Sequence, residues 1–441
     1  MRPARQLIAD VLSLAKGTVL AQLVFVVATP ALTRIYSPEQ LGTFGVYAAL
    51  VLILGKLVGF RYELAIPLPT QDRIASNLVL LTAALTVPTL ILMYVGYYWA
   101  AANFDLYMEH HELHDFVLSI TMGVAAFVIN EALVVWAIRK KQFDVIAMAR
   151  VINAVSLAVL QLAGFLFGAP LIFLIASYPL ALFISTIYQL SKMDLQLFTY
   201  AGNRLKLFRI LLYRYREFPL YATSAAGLFE LSQALPLFIL TYFFGNQQAG
   251  YFFLARRIGL MPISLVGRAI AQVNHADMLE HHKRGSLGEV MLVQMHYLQW
   301  MCIVPATLIA FYAPLLSEIL FGEGWRAAGV FMQLLTPYVV IRFIFSPMMA
   351  INYVAEWQKS GFWFEVGSSV VSAGCLVWYS QHGDVVLAVA SYFLVLAVVN
   401  LGYRLFLMKR LGVGPVRLFK PALLQLPVVA GLIYIMHLAA A

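Results

Sequence analysis

The sequence predicts an all-α, polytopic membrane protein: two six-helix lobes related by a parallel repeat, plus an extra helix at the C-terminus. Three observations predict it. Of 441 residues, 62% are hydrophobic and only 12% charged, about half the charged share of a soluble domain. Apolar runs recur at intervals of about 20 residues, the length a helix needs to cross hydrocarbon. The third observation is an internal repeat. Runs of this kind must be helical, because lipid offers no partner to an unpaired backbone N–H or C=O.

In chain order the runs place helices at 11–35, 41–60, 75–98, 115–138, 145–168 and 170–190. A second set follows at 219–243, 249–272, 289–313, 327–352, 360–380 and 384–406, and a thirteenth segment at about 421–438. The first run is too long for the apolar core of a cleaved signal and reads as a span that stays.

The breaks between helices give the orientation. Alternate loops hold Arg61 and Arg73, then Arg139, Lys140 and Lys141, then Lys192 through Arg216, Lys283 and Arg284, Lys359, and Lys409 through Lys420. The opposite loops hold few cations, Arg34 and Arg326 being the clear cases. Cytoplasmic loops are the ones that collect Lys and Arg, so the N-terminus is expected inside. The net charge of +9 then belongs to topology and to anionic membrane lipids, not to nucleic acid.

Residues 191–218 carry six cations (Lys192, Arg204, Lys206, Arg209, Arg214 and Arg216) among apolar residues. Such a basic amphipathic stretch lies in the membrane interface. It divides the chain into an N-terminal lobe, 1–190, and a C-terminal lobe, 219–408, with the extra membrane helix at 417–441.

A shift of 208 residues lays TRIYSPEQLGTFGV (33–46) over TYFFGNQQAGYFFL (241–254), matching Thr33 to Thr241, Gln40 to Gln248, Gly42 to Gly250 and Phe44 to Phe252. Across 32–59 nine of 28 positions are identical without a gap. Equivalent helices six spans apart point the same way, and parallel repeats place a substrate site between their halves near the bilayer midplane.

Soluble chemistry finds no footing. No Walker-type phosphate loop is present, and the outer loops, at most 99–114 and 314–326, are too short for the large outer domain of a membrane glycosyltransferase or polymerase. Cys302 and Cys375 sit in apolar runs and form neither a disulfide framework nor a zinc spacing. The loop EHHELHD (109–115) lacks the His-Glu-x-x-His spacing of a zinc protease, and His275, His281 and His282 read as polar surface. The expectation is a transporter with no cofactor and no metal, not an enzyme.

Charges inside the spans are the informative residues, because each costs at least about 2.5–3.5 kcal/mol at mid-bilayer and demands a cavity or a partner. They are Lys56, Glu131, Glu230, Arg256, Arg257 and Arg342. Lys56 and Glu131 lie near the cytoplasmic face, within snorkelling range. Arg256 and Arg257 are neighbours about 100° apart on one helix, so at least one faces inward. A guanidinium matches phosphate bidentately and keeps its charge. Arginines in excess over carboxylates therefore call for an anionic ligand; the opposing structural reading is that Glu230 locks one of them in an ion pair.

Four stretches resemble the polysaccharide (O-antigen type) flippase family of the multidrug/oligosaccharidyl-lipid/polysaccharide exporter superfamily. They are TRIYSPEQLGTFGVYAAL (33–50), RYELAIPLP (61–69), GYFFLARRIGLMPISLVGRAIAQV (250–273) and LFGEGWRAAG (320–329). The resemblance implies two six-helix lobes around a central cationic cavity, and alternating access that turns an undecaprenyl-pyrophosphate-linked oligosaccharide from the cytoplasmic to the periplasmic leaflet of a bacterial inner membrane. Carried over, Arg256 or Arg257 lines the cavity, with Arg61 and Glu63 at its cytoplasmic mouth. Lys56 and Arg342 complete the cationic set. Proton or sodium is the expected coupling ion, with Glu230 or Glu131 as its carrier, and other glycan-assembly proteins are possible partners. The segment after Pro421 departs from the twelve-span pattern. The alternatives are a drug or cation exporter of the same superfamily, a membrane glycosyltransferase or polymerase, and a non-transporting scaffold.

Overall fold

In a computed structural model the described residues are 4–103, 116–168, 170–195, 202–263, 278, 281–282, 284–355, 357–421 and 425. The 109–115 loop, the eighth span beyond residue 263 and most of the 421–438 segment lie outside them. Among the described residues the chain is helical, with no strand. The long helices are α1 (Ala4–Ile35), α2 (Pro38–Val58), α3 (Asp72–Asn103), α4 (Val117–Lys140), α5 (Phe143–Ala163) and α6 (Pro170–Lys192). After the short α7 (Arg204–Arg214) come α8 (Thr223–Gly259), α9 (Leu287–Phe321), α10 (Arg326–Ile344), α11 (Gln358–Ser380) and α12 (Val385–Arg410).

Eleven described segments are long and apolar enough to cross a membrane. One of them, Phe218–Gly259, has 42 residues; at 1.5 Å per residue it would run about 63 Å, twice the hydrocarbon thickness. The helix is in fact interrupted at Gly245, where φ is 81° and ψ 174°. That left-handed geometry is open to glycine at little cost. It divides α8 into two spans, α8a before Gly245 and α8b after it, as the polarity of Gly-Asn-Gln-Gln (245–248) requires.

Contacts group the chain into two compact units. The N-terminal unit is Met1–Tyr36 with Thr43–Ala234; the C-terminal unit is Ser37–Gly42 with Leu235–Ala441. In the first, α5 packs on α1 and α6, and α4 packs on α3 and α6. The α1–α5 crossing is set by small residues: a Cβ added at Gly17 would stand 2.5 Å from Ala147 Cβ. Close backbone approach of this kind replaces the hydrophobic drive that lipid removes.

At the end of this unit where the basic loops fall, a core of Ala65, Ile66, Leu78, Leu133, Trp136, Ile146, Leu207 and Leu211 joins the 59–71 loop and α7 to the bundle. The basic stretch is helical at α7, capped by Asn203 Oδ1, which accepts from Lys206 N at 3.1 Å. Leu207 and Leu211, one turn apart, are buried while Leu205, Ile210 and Tyr213 are exposed. An eleven-residue helix is marginal alone; burying the two leucines, at about 1.5–3 kcal/mol each, holds it.

In the C-terminal unit α10 packs on α9 and α12, and α12 on α11. The first turn of α2 belongs here. Ser37 and Gln40 form a reciprocal cap, Gln40 N donating to Ser37 Oγ (3.2 Å) and Ser37 N to Gln40 Oε1 (3.0 Å), with Pro38 opening the helix. That turn meets the start of α8b so closely that a Cβ at Gly42 would stand 1.9 Å from Asn246 O, and one at Gly250 would stand 1.8 Å from Pro38 O.

The two boundaries that differ most from the sequence expectation lie in the C-terminal unit. α9 continues to Phe321, so the expected 314–326 loop shrinks to the turn at Gly322 (φ 102°) and Glu323–Trp325. α10 ends at Ile344 and not at 352, because Pro347 lacks the N–H that continuation needs and opens a 3-10 turn, Ser346–Ala350.

Candidate functional site

In the N-terminal unit, the cations Lys56, Arg61, Arg139 and Lys140 stand in ion pairs. Lys56 lies in the last turn of α2, and its Nζ donates to Glu131 Oε2 of α4 at 2.7 Å. The same ammonium sits 4.8 Å from the ring centroid of Phe127, one turn before Glu131, so one face of α4 offers it both a carboxylate and a π cloud. Where α2 stops, Phe60 (φ 49°) and Arg61 (φ 55°) both adopt left-handed backbone. Two consecutive non-glycine residues there store about 1–3 kcal/mol each.

The turn delivers Arg61 to Glu63, Nη1 to Oε1 at 2.9 Å. Burial pushes the Glu63 carboxyl up from its ordinary value. Arg61 opposes this, and more distant fields from Glu131 (upward) and Lys56 (downward) also reach it. Tyr62 between them donates its hydroxyl to Leu212 O at 3.2 Å, joining the turn to α7. Next to it, Arg139 of α4 clasps the 66–72 loop. Its Nε and Nη2 meet Asp72 Oδ1 at 3.0 and 2.9 Å, its Nη1 meets Pro69 O at 2.6 Å, and Lys140 takes the other Asp72 oxygen.

In the C-terminal unit, arginines outnumber the carboxylate that reaches them. Arg342 of α10 donates from Nη1 to the Tyr338 hydroxyl at 2.8 Å, one turn back. Arg404 of α12 lies 5.9 Å from the ring of Tyr403. The two guanidinium groups feel one another and share the field of a single carboxylate, Glu365 of α11. Among the described residues neither has a carboxylate within the 4.0 Å of an ion pair. Tyr403 fixes the corner: its ring stacks on Phe364 at 4.0 Å and its hydroxyl reaches Asn352 Oδ1 at 3.2 Å.

Arg256 of α8b lies within electrostatic reach of Tyr392 on α12, which also feels Tyr338. Arg257 turns the other way and sits 5.5 Å from the Phe253 ring. One turn before Arg256, Phe252 stacks on Phe393 (5.6 Å), and Phe393 on Tyr338 (6.4 Å). Tyr338 thus receives a hydrogen bond from Arg342 and joins the aromatic contacts near Arg256, while Lys56, Arg61 and Glu131 lie in the N-terminal unit. Glu230 is half-buried on α8a with no ion-pair partner among the described residues.

Sequence reasoning passed over Arg404 and Glu365. Arg404 precedes Lys409 and Arg410 by only a few residues and blends into a basic helix end; Glu365 falls early in its span. The signal that could have found them is the insertion cost, which applies to any charge inside a span whichever turn it occupies. His281 Nδ1 lies 2.9 Å from Ser286 Oγ, a local polar contact. No cluster of three metal-ligating side chains occurs among the described residues.

No protein-family model matches the sequence, and a search of curated proteins returned no match. Solved structures do match. The lipid II flippase MurJ, in an inward closed conformation, gives a TM-score of 0.71 at 13% identity over 97% of this chain and 93% of that one. A multidrug resistance MATE family transporter of the MOP superfamily, inward-facing, gives 0.61 at 16% identity over 89% and 95%. An outward-facing MATE family transporter gives 0.53 at 14% identity, over 91% of this chain and 94% of that one. At these identities the likeness is one of architecture: this chain has the fold of those membrane transporters along nearly its whole length.

Proposed function

We propose that the protein is a flippase that moves a polyprenyl-pyrophosphate-linked oligosaccharide from the cytoplasmic to the periplasmic leaflet of a bacterial inner membrane, by alternating access, in surface polysaccharide assembly. The observation that supports this most is the surplus of guanidinium charge in the C-terminal unit, where Arg342 and Arg404 share one carboxylate. Two like charges in a membrane are costly unless something negative visits them. A pyrophosphate offers oxygens that a guanidinium fork grips in pairs, and the neighbouring tyrosines suit the first sugar ring. The polyprenyl tail stays in lipid while the head moves, and an ion gradient supplies the work.

That one solved structure with this fold is named a lipid II flippase supports the reading. Its rival is a multidrug exporter, since others with this fold are multidrug transporters. The sign of the cluster favours the anion: a cationic drug would meet Arg342 and Arg404 with repulsion. The test is the double variant Arg256→Ala/Arg257→Ala in a strain lacking the chromosomal copy. Loss of surface glycan with accumulation of lipid-linked intermediate is expected. Wild-type glycan from a normally expressed variant would remove these arginines from the substrate path.

A further inference from the structure

Within the N-terminal unit the Arg61–Glu63 turn is built unlike an ordinary ion pair. Glu63 is 4% exposed. One of its oxygens meets Arg61, but Oε2 is buried with no hydrogen-bond partner, and so is Arg61 Nε. A buried carboxylate normally fills its lone pairs with donors, and one left with a bare oxygen carries a full desolvation penalty while ionised. The backbone that brings the two together is held in left-handed geometry at Phe60 and Arg61. Strain and an unsatisfied charge on the same four residues are the marks of a site kept for function.

The surrounding charges are few. From α2 comes Lys56 and from α4 Glu131, and these two satisfy each other at 2.7 Å. The start of α3 contributes Asp72, which Arg139 and Lys140 occupy. The Phe218–Ala222 turn offers only the exposed Tyr221. With Lys56, Arg61, Glu63 and Glu131 all charged the group is neutral; one added proton leaves it with a single positive charge, and only Arg61 can express it.

We propose that Glu63 is a proton switch for anion capture: a proton taken from solvent onto Oε2 dissolves the pair with Arg61 and frees that guanidinium for the anionic head group. Proton and anion then bind together, and each raises the affinity for the other by the same factor. Glu131, engaged by Lys56, is not needed for this. The inference rests on the flippase reading for the identity of the anion, whereas the protonation itself does not.

Two measurements on the purified full-length protein in lipid nanodiscs test it. Infrared difference spectra across a pH titration should show a protonated-carboxyl band that Glu63→Gln removes and Glu131→Gln leaves in place. A band that survives Glu63→Gln overturns the assignment. Binding of a polyprenyl pyrophosphate should strengthen towards low pH, by up to about tenfold per pH unit for one linked proton, with proton uptake. In Glu63→Gln the uptake should vanish and only the ligand's own titration remain. Pyrophosphate binding whose pH dependence is the same in wild type and Glu63→Gln sinks the coupling role and spares the flippase reading. No pyrophosphate binding at any pH sinks the flippase reading, while the infrared result still decides whether Glu63 carries a proton.

Discussion

The two units treat buried charge in opposite ways. In the N-terminal unit Lys56 stands against Glu131, Arg61 against Glu63, and Arg139 and Lys140 together against Asp72. In the C-terminal unit Arg342 and Arg404 lean on tyrosines and divide one exposed glutamate. Matched pairs are a stability device, replaceable by apolar side chains of similar volume. A surplus cannot be defended on stability, because removing it would lower the cost of insertion. On the proposed reading the first unit is a scaffold whose one proton-sensitive turn releases Arg61 to the anion, and the second holds a standing surplus of guanidinium charge.

Three experiments would break or sharpen that contrast. The largest effect is expected from Arg342→Ala and Arg404→Ala. Losing one charge-assisted contact costs about 1.5–3 kcal/mol of ligand binding, roughly 10- to 100-fold. Thermal stability of the unliganded protein should hold or rise. If instead both variants melt lower and bind pyrophosphate normally, the cluster is structural and the contrast collapses.

Lys56→Met should come next. It strands Glu131, and because that carboxylate is 35% exposed the penalty should be about 1–2 kcal/mol, below that of a fully buried pair. The double variant Lys56→Met/Glu131→Leu should recover most of the lost stability in a chemical-denaturation cycle. A double variant no better than the single one would mean that the pair does more than neutralise itself.

The smallest effect belongs to Arg417→Ala. Arg417 binds Glu289 through both terminal nitrogens, at 2.6 and 2.7 Å, but both side chains are more than half exposed. No shift in melting temperature is expected at physiological salt. A clear drop would show that the residues after α12 brace the C-terminal unit.

The scaffold was legible because the membrane leaves so little choice. A 20-residue apolar run has one solution, so α2, α4, α6, α11 and α12 fall within a few residues of the spans read from sequence. The misses follow from amphipathic ends. Residues 314–321 open on Pro314 and carry Ser317 and Glu318, which read as a loop, yet they extend α9. The charged residues were found by depth, which hydropathy reports, but their pairing depends on azimuth, which it does not. Nothing in the sequence relates Lys56 to Glu131, 75 positions later. Arg404 was missed for the converse reason, since a helix end rich in cations hides one whose side chain belongs further in.

The meeting of Gly42 and Gly250 has its own consequence. Under the 208-residue shift read from the sequence the two fall on one another, and so do the residues whose carbonyls they admit, Pro38 and Asn246. Residue i of one copy touches j of the other, and j touches i, which is the rule of a two-fold homodimer interface. Reciprocity denies the contact a spare: a side chain at either glycine strikes the carbonyl belonging to the opposite copy, and the partner glycine has nothing left to give up.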